Sequence, residues 1–141
     1  MRIERARLAG FTVVIALGLT GCGPVSESRL KGEYHAETPC AKISLILNSD
    51  HSFVQSLQTA DGGRKHVTGT WRADNRSDEG LSTRVNFDLA FLDLVNDSRG
   101  RVVGGASLVA ERVGLSVHIG PVIVACPDSA YEINYVSKSV F

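Results

Sequence analysis

What this sequence most lacks is charge of one sign. Its 15 Lys and Arg are matched by 15 Asp and Glu, for a formal net charge of +0, and neither sign gathers into a block. That excludes the electrostatic footprint of a nucleic-acid-binding protein and favours no highly charged partner. Recognisable catalytic strings are missing too. The chain has no G-x-S-x-G elbow, no H-E-x-x-H, no phosphate-cradling loop and no Cys-x-x-Cys. Ser28-Arg29-Leu30-Lys31 matches an S-x-x-K string by chance, because that chemistry needs a helix in a buried cleft and this string begins in a polar linker. The histidines His35, His51, His66 and His118 never stand two apart, the spacing that puts two ligands on one face of a strand. The acidic stretch from Asp74 to Gly80 lacks the bidentate Glu and the spacing of a calcium loop, and Arg76 sits in its middle. The expectation is a non-enzyme with no cofactor and no metal.

Long apolar runs are also scarce. Leu8–Leu19 is uncharged and follows Arg2, Arg5 and Arg7. It falls short of the about 20 residues a spanning helix needs. Phe11, Val13, Val14, Ile15, Leu17 and Leu19 leave no polar face for an amphipathic core helix. A positive start, an apolar middle and small residues at the end make a secretory signal. Leu19-Thr20-Gly21-Cys22 resembles the lipobox of bacterial lipoproteins. The resemblance implies removal of residues 1–21, diacylation of Cys22, and a chain held stably in the membrane by two or more acyl chains. Gly23 stands where that family's inner-membrane retention signal has Asp, which implies the outer membrane and its periplasmic face. Residues 22–29, with Gly, Pro and Ser, read as a tether, and 30–141 as one domain. Cleavage removes Arg2, Glu4, Arg5 and Arg7 and leaves that domain slightly acidic.

Subtracting the lipid-bearing Cys22 leaves Cys40 and Cys126, an even pair in an oxidising compartment. A disulfide between them is expected; two unpaired thiols acting as small apolar residues are the alternative. No His or Asn arrangement supports a catalytic cysteine.

From Leu30 onward, helix-period runs are absent and short alternating runs recur between turn signals. Ile43, Leu45 and Leu47 alternate, Asn48-Ser49-Asp50-His51 turns, and Phe53, Gln55 and Leu57 return. Asp61-Gly62-Gly63 marks a second hairpin, answered by Val67 to Arg72. Leu81, Thr83, Val85, Phe87, Leu89 and Phe91 alternate with polar residues, and the phase slips at Phe91–Leu94, predicting a bulge or a helical turn there. Gly104-Gly105 predicts a bend or close backbone approach. Val113, Leu115, Val117 and Ile119 form another run that Gly120-Pro121 breaks before Val122–Cys126, and Tyr131, Ile133 and Tyr135 finish the chain. About eight or nine antiparallel strands with one apolar face each must close or pair. An all-β, small up-and-down or half-open barrel meets that need, with a β-sandwich as the alternative.

Gly32-Glu33-Tyr34, Leu45 to Asp50 with Phe53, and Gly69-Thr70-Trp71 resemble the first hairpins of lipocalin-like bacterial lipoproteins. Thr38-Pro39-Cys40 is loosely similar to the N-terminal barrel of the copper-resistance and envelope-stress lipoprotein, but Ala41-Lys42-Ile43 follows in place of a second Cys. The resemblance implies a non-catalytic binding or adaptor module for a small apolar ligand or an envelope protein. A ligand cavity would be lined by Trp71, Phe87 and Tyr131, while Trp71 taken alone reads as a core plug of the barrel. The alternative is an inhibitor or immunity protein that inserts a loop such as Ser98 to Gly105 into a periplasmic cell-wall-attacking enzyme. A cavity favours the first, and a packed interior with a projecting loop favours the second.

Overall fold

Alternation in the sequence carries directly into the sheet. The computed structural model describes residues 24–74, 82–94 and 100–138. One helical turn, α1 (Glu27–Leu30), precedes β1 (Gly32–Thr38), β2 (Ala41–Leu47), β3 (Ser52–Thr59), β4 (Arg64–Asp74), β5 (Thr83–Asp93), β6 (Arg101–Val113), β7 (Ser116–Ala125) and β8 (Ala130–Ser137). Every strand pairs antiparallel with its sequence neighbour, and β8 returns to β1, so the sheet is a closed up-and-down barrel and not a sandwich. Ala41, Ile43, Leu45 and Leu47 on β2 all point inward, as do Phe53, Gln55 and Leu57 on β3. The turns fall where expected. Asp50 accepts from the Ser52 N–H (2.9 Å) and hydroxyl (2.6 Å), bonds that lower its carboxyl pKa, and Gly62 takes φ +90° in the β3–β4 turn.

The count is eight strands because two expected runs rearrange. Val113 ends β6, and Gly114, at φ +61°, turns the chain with Leu115 at the tip. The runs before and after Gly120-Pro121 then form one strand, β7, which changes register against β8 between Ile119 and Val122. Gly-Pro bends the strand without ending it.

The phase slip in β5 also lies earlier than expected. Thr83, Val85 and Phe87 are buried, but the register against β6 shifts between Asp88 and Phe91. Leu89 takes φ +76° and is 73% exposed, where alternation had placed it inside. Two glycines show the crowding around this bulge. A Cβ on Gly69 of β4 would lie 2.5 Å from the Asp88 carbonyl oxygen, and one on Gly105 of β6 would lie 2.7 Å from that of Phe87. Gly105 is thus the close backbone approach expected of its pair. The extra residue re-aims β5 so that Phe91 and its neighbour Leu92 are both buried.

The tether is docked from Val25 onward. Val25 and Leu30 are buried in the core, because an open barrel end offers apolar surface to any nearby apolar side chain. The Tyr34 hydroxyl donates to the Leu30 carbonyl at 2.6 Å, and Thr83 Oγ1 both accepts from Val25 N–H (3.0 Å) and donates to Val25 O (2.9 Å). The segment therefore crosses the barrel end from β1 to β5.

Candidate functional site

The lumen is filled by side chains. Trp71 and Phe87 are register partners on β4 and β5, both fully buried. The Trp71 indole donates to the Asn48 carbonyl at 3.1 Å. Phe87 meets Phe53 edge-on at 5.1 Å and Phe91 at 4.9 Å, separations at which aromatic pairs add to area burial. Deeper in, Gln55 spans from β3 to two other strands. Its Nε2 donates to the Tyr135 hydroxyl at 2.8 Å, and its Oε1 accepts from the Leu92 N–H at 2.6 Å. Tyr131 is half-buried at the start of β8, opposite Val124. Of the three residues expected to line a cavity, two are brought together as packed core and the third stands at the other end of the barrel.

Burial pushes the hydroxyl pKa values of Tyr34 and Tyr135 well above the ordinary 10.0. Both must stay protonated in the fold, so their contribution is fully present below the unfolded value and is lost as pH rises toward the folded ones. Urea midpoints are expected to hold through neutral pH and then to fall above about pH 10, by at most ~1.4 kcal/mol per tyrosine per pH unit. Tyr135→Phe should flatten that slope. A wild-type profile with no alkaline decline would contradict the burial of these hydroxyls.

Cys40 and Cys126 form the expected disulfide, with a Cα–Cα distance of 5.8 Å. It joins the β1–β2 turn to the β7–β8 turn, and Thr38 Oγ1 lies 3.6 and 3.7 Å from its two sulfurs. Cys22, the signal, most of the Asp74–Gly80 stretch and the first part of Ser98–Gly105 lie outside the described residues. The described part of that last segment is no projecting loop: Gly100 is buried and Arg101–Gly105 belongs to β6. His51 packs on Trp71 at 5.1 Å and pairs with Glu27 at 2.6 Å, whereas His66 lies opposite Ser56 farther along β4. Among the described residues no group of three His, Cys, Asp or Glu is placed to hold a metal, and no helix is long and apolar enough to cross a membrane.

Two of the surface clefts among the described residues bear on binding. One is an open depression of mixed polar and apolar lining, about 700 Å³, on the outer face of β1–β4, with His35, Lys42, Arg64 and His66 among its residues. Its charges are mixed, and Lys42 faces Glu37 at 3.6 Å. The other is apolar, about 300 Å³, and opens sideways through the wall between β6 and β7. The β6–β7 ladder covers only Val109–Gly120 through Val113–Ser116. Pro121 comes next on β7 and has no N–H to donate, so the ladder cannot continue in step. Farther along, the Ala125 N–H bonds instead to the Leu94 carbonyl at 2.9 Å. Between these two fastenings lies the slit, floored by Phe91, Leu92 and Tyr135 and flanked by Ala106, Leu108 and Val122. Val102 and Ile123 add exposed apolar side chains beside it, and Leu89 stands out from the adjoining bulge. Gly120-Pro121 was the sequence signal for this opening; read as a break, it concealed a gap in a continuous wall.

Compared with protein-family models, with curated proteins and with solved structures, the chain matches none.

Proposed function

We propose that this chain is a lipoprotein anchored through Cys22 at the periplasmic face of the outer membrane. In this reading it is a non-catalytic binding or adaptor module whose β6–β7 slit receives an extended apolar segment of an envelope protein. The lipobox resemblance of Leu19-Thr20-Gly21-Cys22 supports the anchor. The slit carries the binding reading. It is an apolar opening bordered by strand stretches with no registered partner across the gap, residues 101–108 on β6 and 121–124 on β7. An added strand satisfies such edges with its own backbone while its side chains enter the apolar floor. The filled lumen argues against a small molecule held inside the barrel, and about 300 Å³ is at the lower end of ligand pockets.

The inhibitor reading retains one supporting observation, the packed interior, but its loop is largely strand in the described part. A cell-wall-attacking enzyme would then be held at the same strand edges.

The test is photo-crosslinking in intact envelopes from a probe at Ile123, with a probe at Gln58 on the opposite outer face as control. One stoichiometric envelope protein from the probe at 123 alone is the expected outcome, and adding Val102→Glu, an exposed position beside the slit, should abolish its capture without unfolding the barrel. If the captured protein is a cell-wall hydrolase that loses activity on binding, the inhibitor reading takes over. Equal labelling from both positions, or a bound small molecule with no protein, would overturn the proposal.

A further inference from the structure

We infer that the α1 end of the barrel rests on the lipid surface and that the tip of the β6–β7 hairpin, Val113 to Leu115, enters it as a second, non-covalent anchor. This rests on the acylation of Cys22 proposed above. The structure fixes the chain at Val25, three residues after Cys22. Val25 is buried and bonded through both its backbone groups to Thr83 at the start of β5. The Glu27–His51 contact and the Tyr34–Leu30 hydrogen bond hold the intervening turn across the barrel end. From Val25, three residues reach at most ~10 Å to Cys22. With Cys22 acylated, the lipid surface therefore lies no farther than that from Val25.

The hairpin stands at the same height and beside the exit. Thr83 is registered with Ala110 on β6, and β6 runs on three residues to Val113 before turning. At about 3.3 Å per residue that overhang is again ~10 Å. Its tip is apolar: Leu115 is 87% exposed and Val113 is 42% exposed. The turn itself does not require this. Gly114 supplies the positive φ, and two-residue hairpin loops are served best by small polar residues. Arg29, Lys31 and Lys138 lie at this end, but so do Glu27 and Glu33. The contact is accordingly apolar insertion and not a polybasic attraction. Docked this way, the barrel directs its disulfide end away from the bilayer and opens its β6–β7 slit sideways above it.

The acylated full-length protein in phosphatidylethanolamine–phosphatidylglycerol vesicles tests this. An environment-sensitive dye is attached through Leu115→Cys, or through Pro127→Cys at the disulfide end, and lipid-borne nitroxides serve as quenchers. Loss of most of the emission at 115 with none at 127 is expected. Intact mass reports separately on Cys22. Acylated, vesicle-bound protein with an unquenched dye at 115 overturns the inference and leaves the lipoprotein reading standing. Absence of acylation at Cys22 overturns both. A dye at 115 that is shielded equally without vesicles, in a crosslinkable pair of copies, assigns the tip to self-association and also overturns it.

Discussion

Removing the Cys40–Cys126 bridge is expected to lower unfolding stability by about 4–5 kcal/mol, the chain-entropy value for a closed loop of this size. The bridged residues are 86 apart in sequence, so the cross-link restrains most of the domain when it is unfolded. Its place in the native barrel adds to the expectation. Among the described residues the β8–β1 seam has two registered pairs, Tyr34–Ser137 and His35–Val136, the shortest ladder in the ring. One further backbone bond, Lys138 N–H to Glu33 O at 3.0 Å, helps it at the α1 end. At the other end the bridge fastens the β7–β8 turn to the β1–β2 turn, where the seam has no ladder among the described residues. Urea unfolding of the oxidised protein, the dithiothreitol-reduced protein and the Cys40→Ala/Cys126→Ala variant would measure the loss. A decrease under ~1 kcal/mol in both would mean that the seam holds by itself and that the entropic account fails here.

Gln55→Ala is expected to be nearly as damaging, at roughly 3–5 kcal/mol, because one truncation has three effects. It empties volume in a close-packed lumen, and it strips the Leu92 N–H of its acceptor and the Tyr135 hydroxyl of its donor. Each buried polar group left alone costs about 1–3 kcal/mol. Gln55→Leu separates the contributions, since it refills the space and leaves both groups unsatisfied. It should unfold between wild type and Gln55→Ala in a denaturant titration. A Gln55→Leu variant as stable as wild type would show that the polar bridge contributes little and that packing alone holds the lumen. The Leu92 N–H should also exchange with solvent deuterium faster in both variants.

Gln55 illustrates which parts of this molecule can be read from its residues. Phe53, Gln55 and Leu57 share one face of β3 by simple alternation, and the period-two rule places all three inside. Nothing local says why a glutamine belongs there. Its partners are Leu92 and Tyr135, on strands that reach it only after the ring has closed. The barrel itself, the Asn48–His51 and Asp61–Gly63 turns, and the pairing of Cys40 with Cys126 follow from periodicity, turn chemistry and cysteine parity. The bulge does not. Leu81 to Phe91 alternates without a flaw, yet the slip occurs at Leu89, where β5 is crowded against Gly69 and Gly105 of its two neighbours. The docking of Val25 was hidden for the same reason. Residues 22–29 have a linker's composition, and only the apolar barrel end gives that side chain somewhere to go. The slit required knowing that β6 and β7 are neighbours whose ladder meets a proline.

The ring order has a consequence for the chain as it emerges from synthesis. Every pairing from β1–β2 to β7–β8 joins consecutive strands, so each can form as a local hairpin with little loop to close. The β8–β1 pairing alone joins strands that are not consecutive, and it must wait until the whole meander has been made. Until β8 arrives, the growing meander carries two bare strand edges, β1 at its rear and the newest strand at its front. Such edges are the surfaces on which nascent β-proteins aggregate and which holdase chaperones cover. The biogenesis of this barrel should therefore be vulnerable late, and truncations that remove Ala130–Ser137 should be recovered in aggregates or bound to a chaperone.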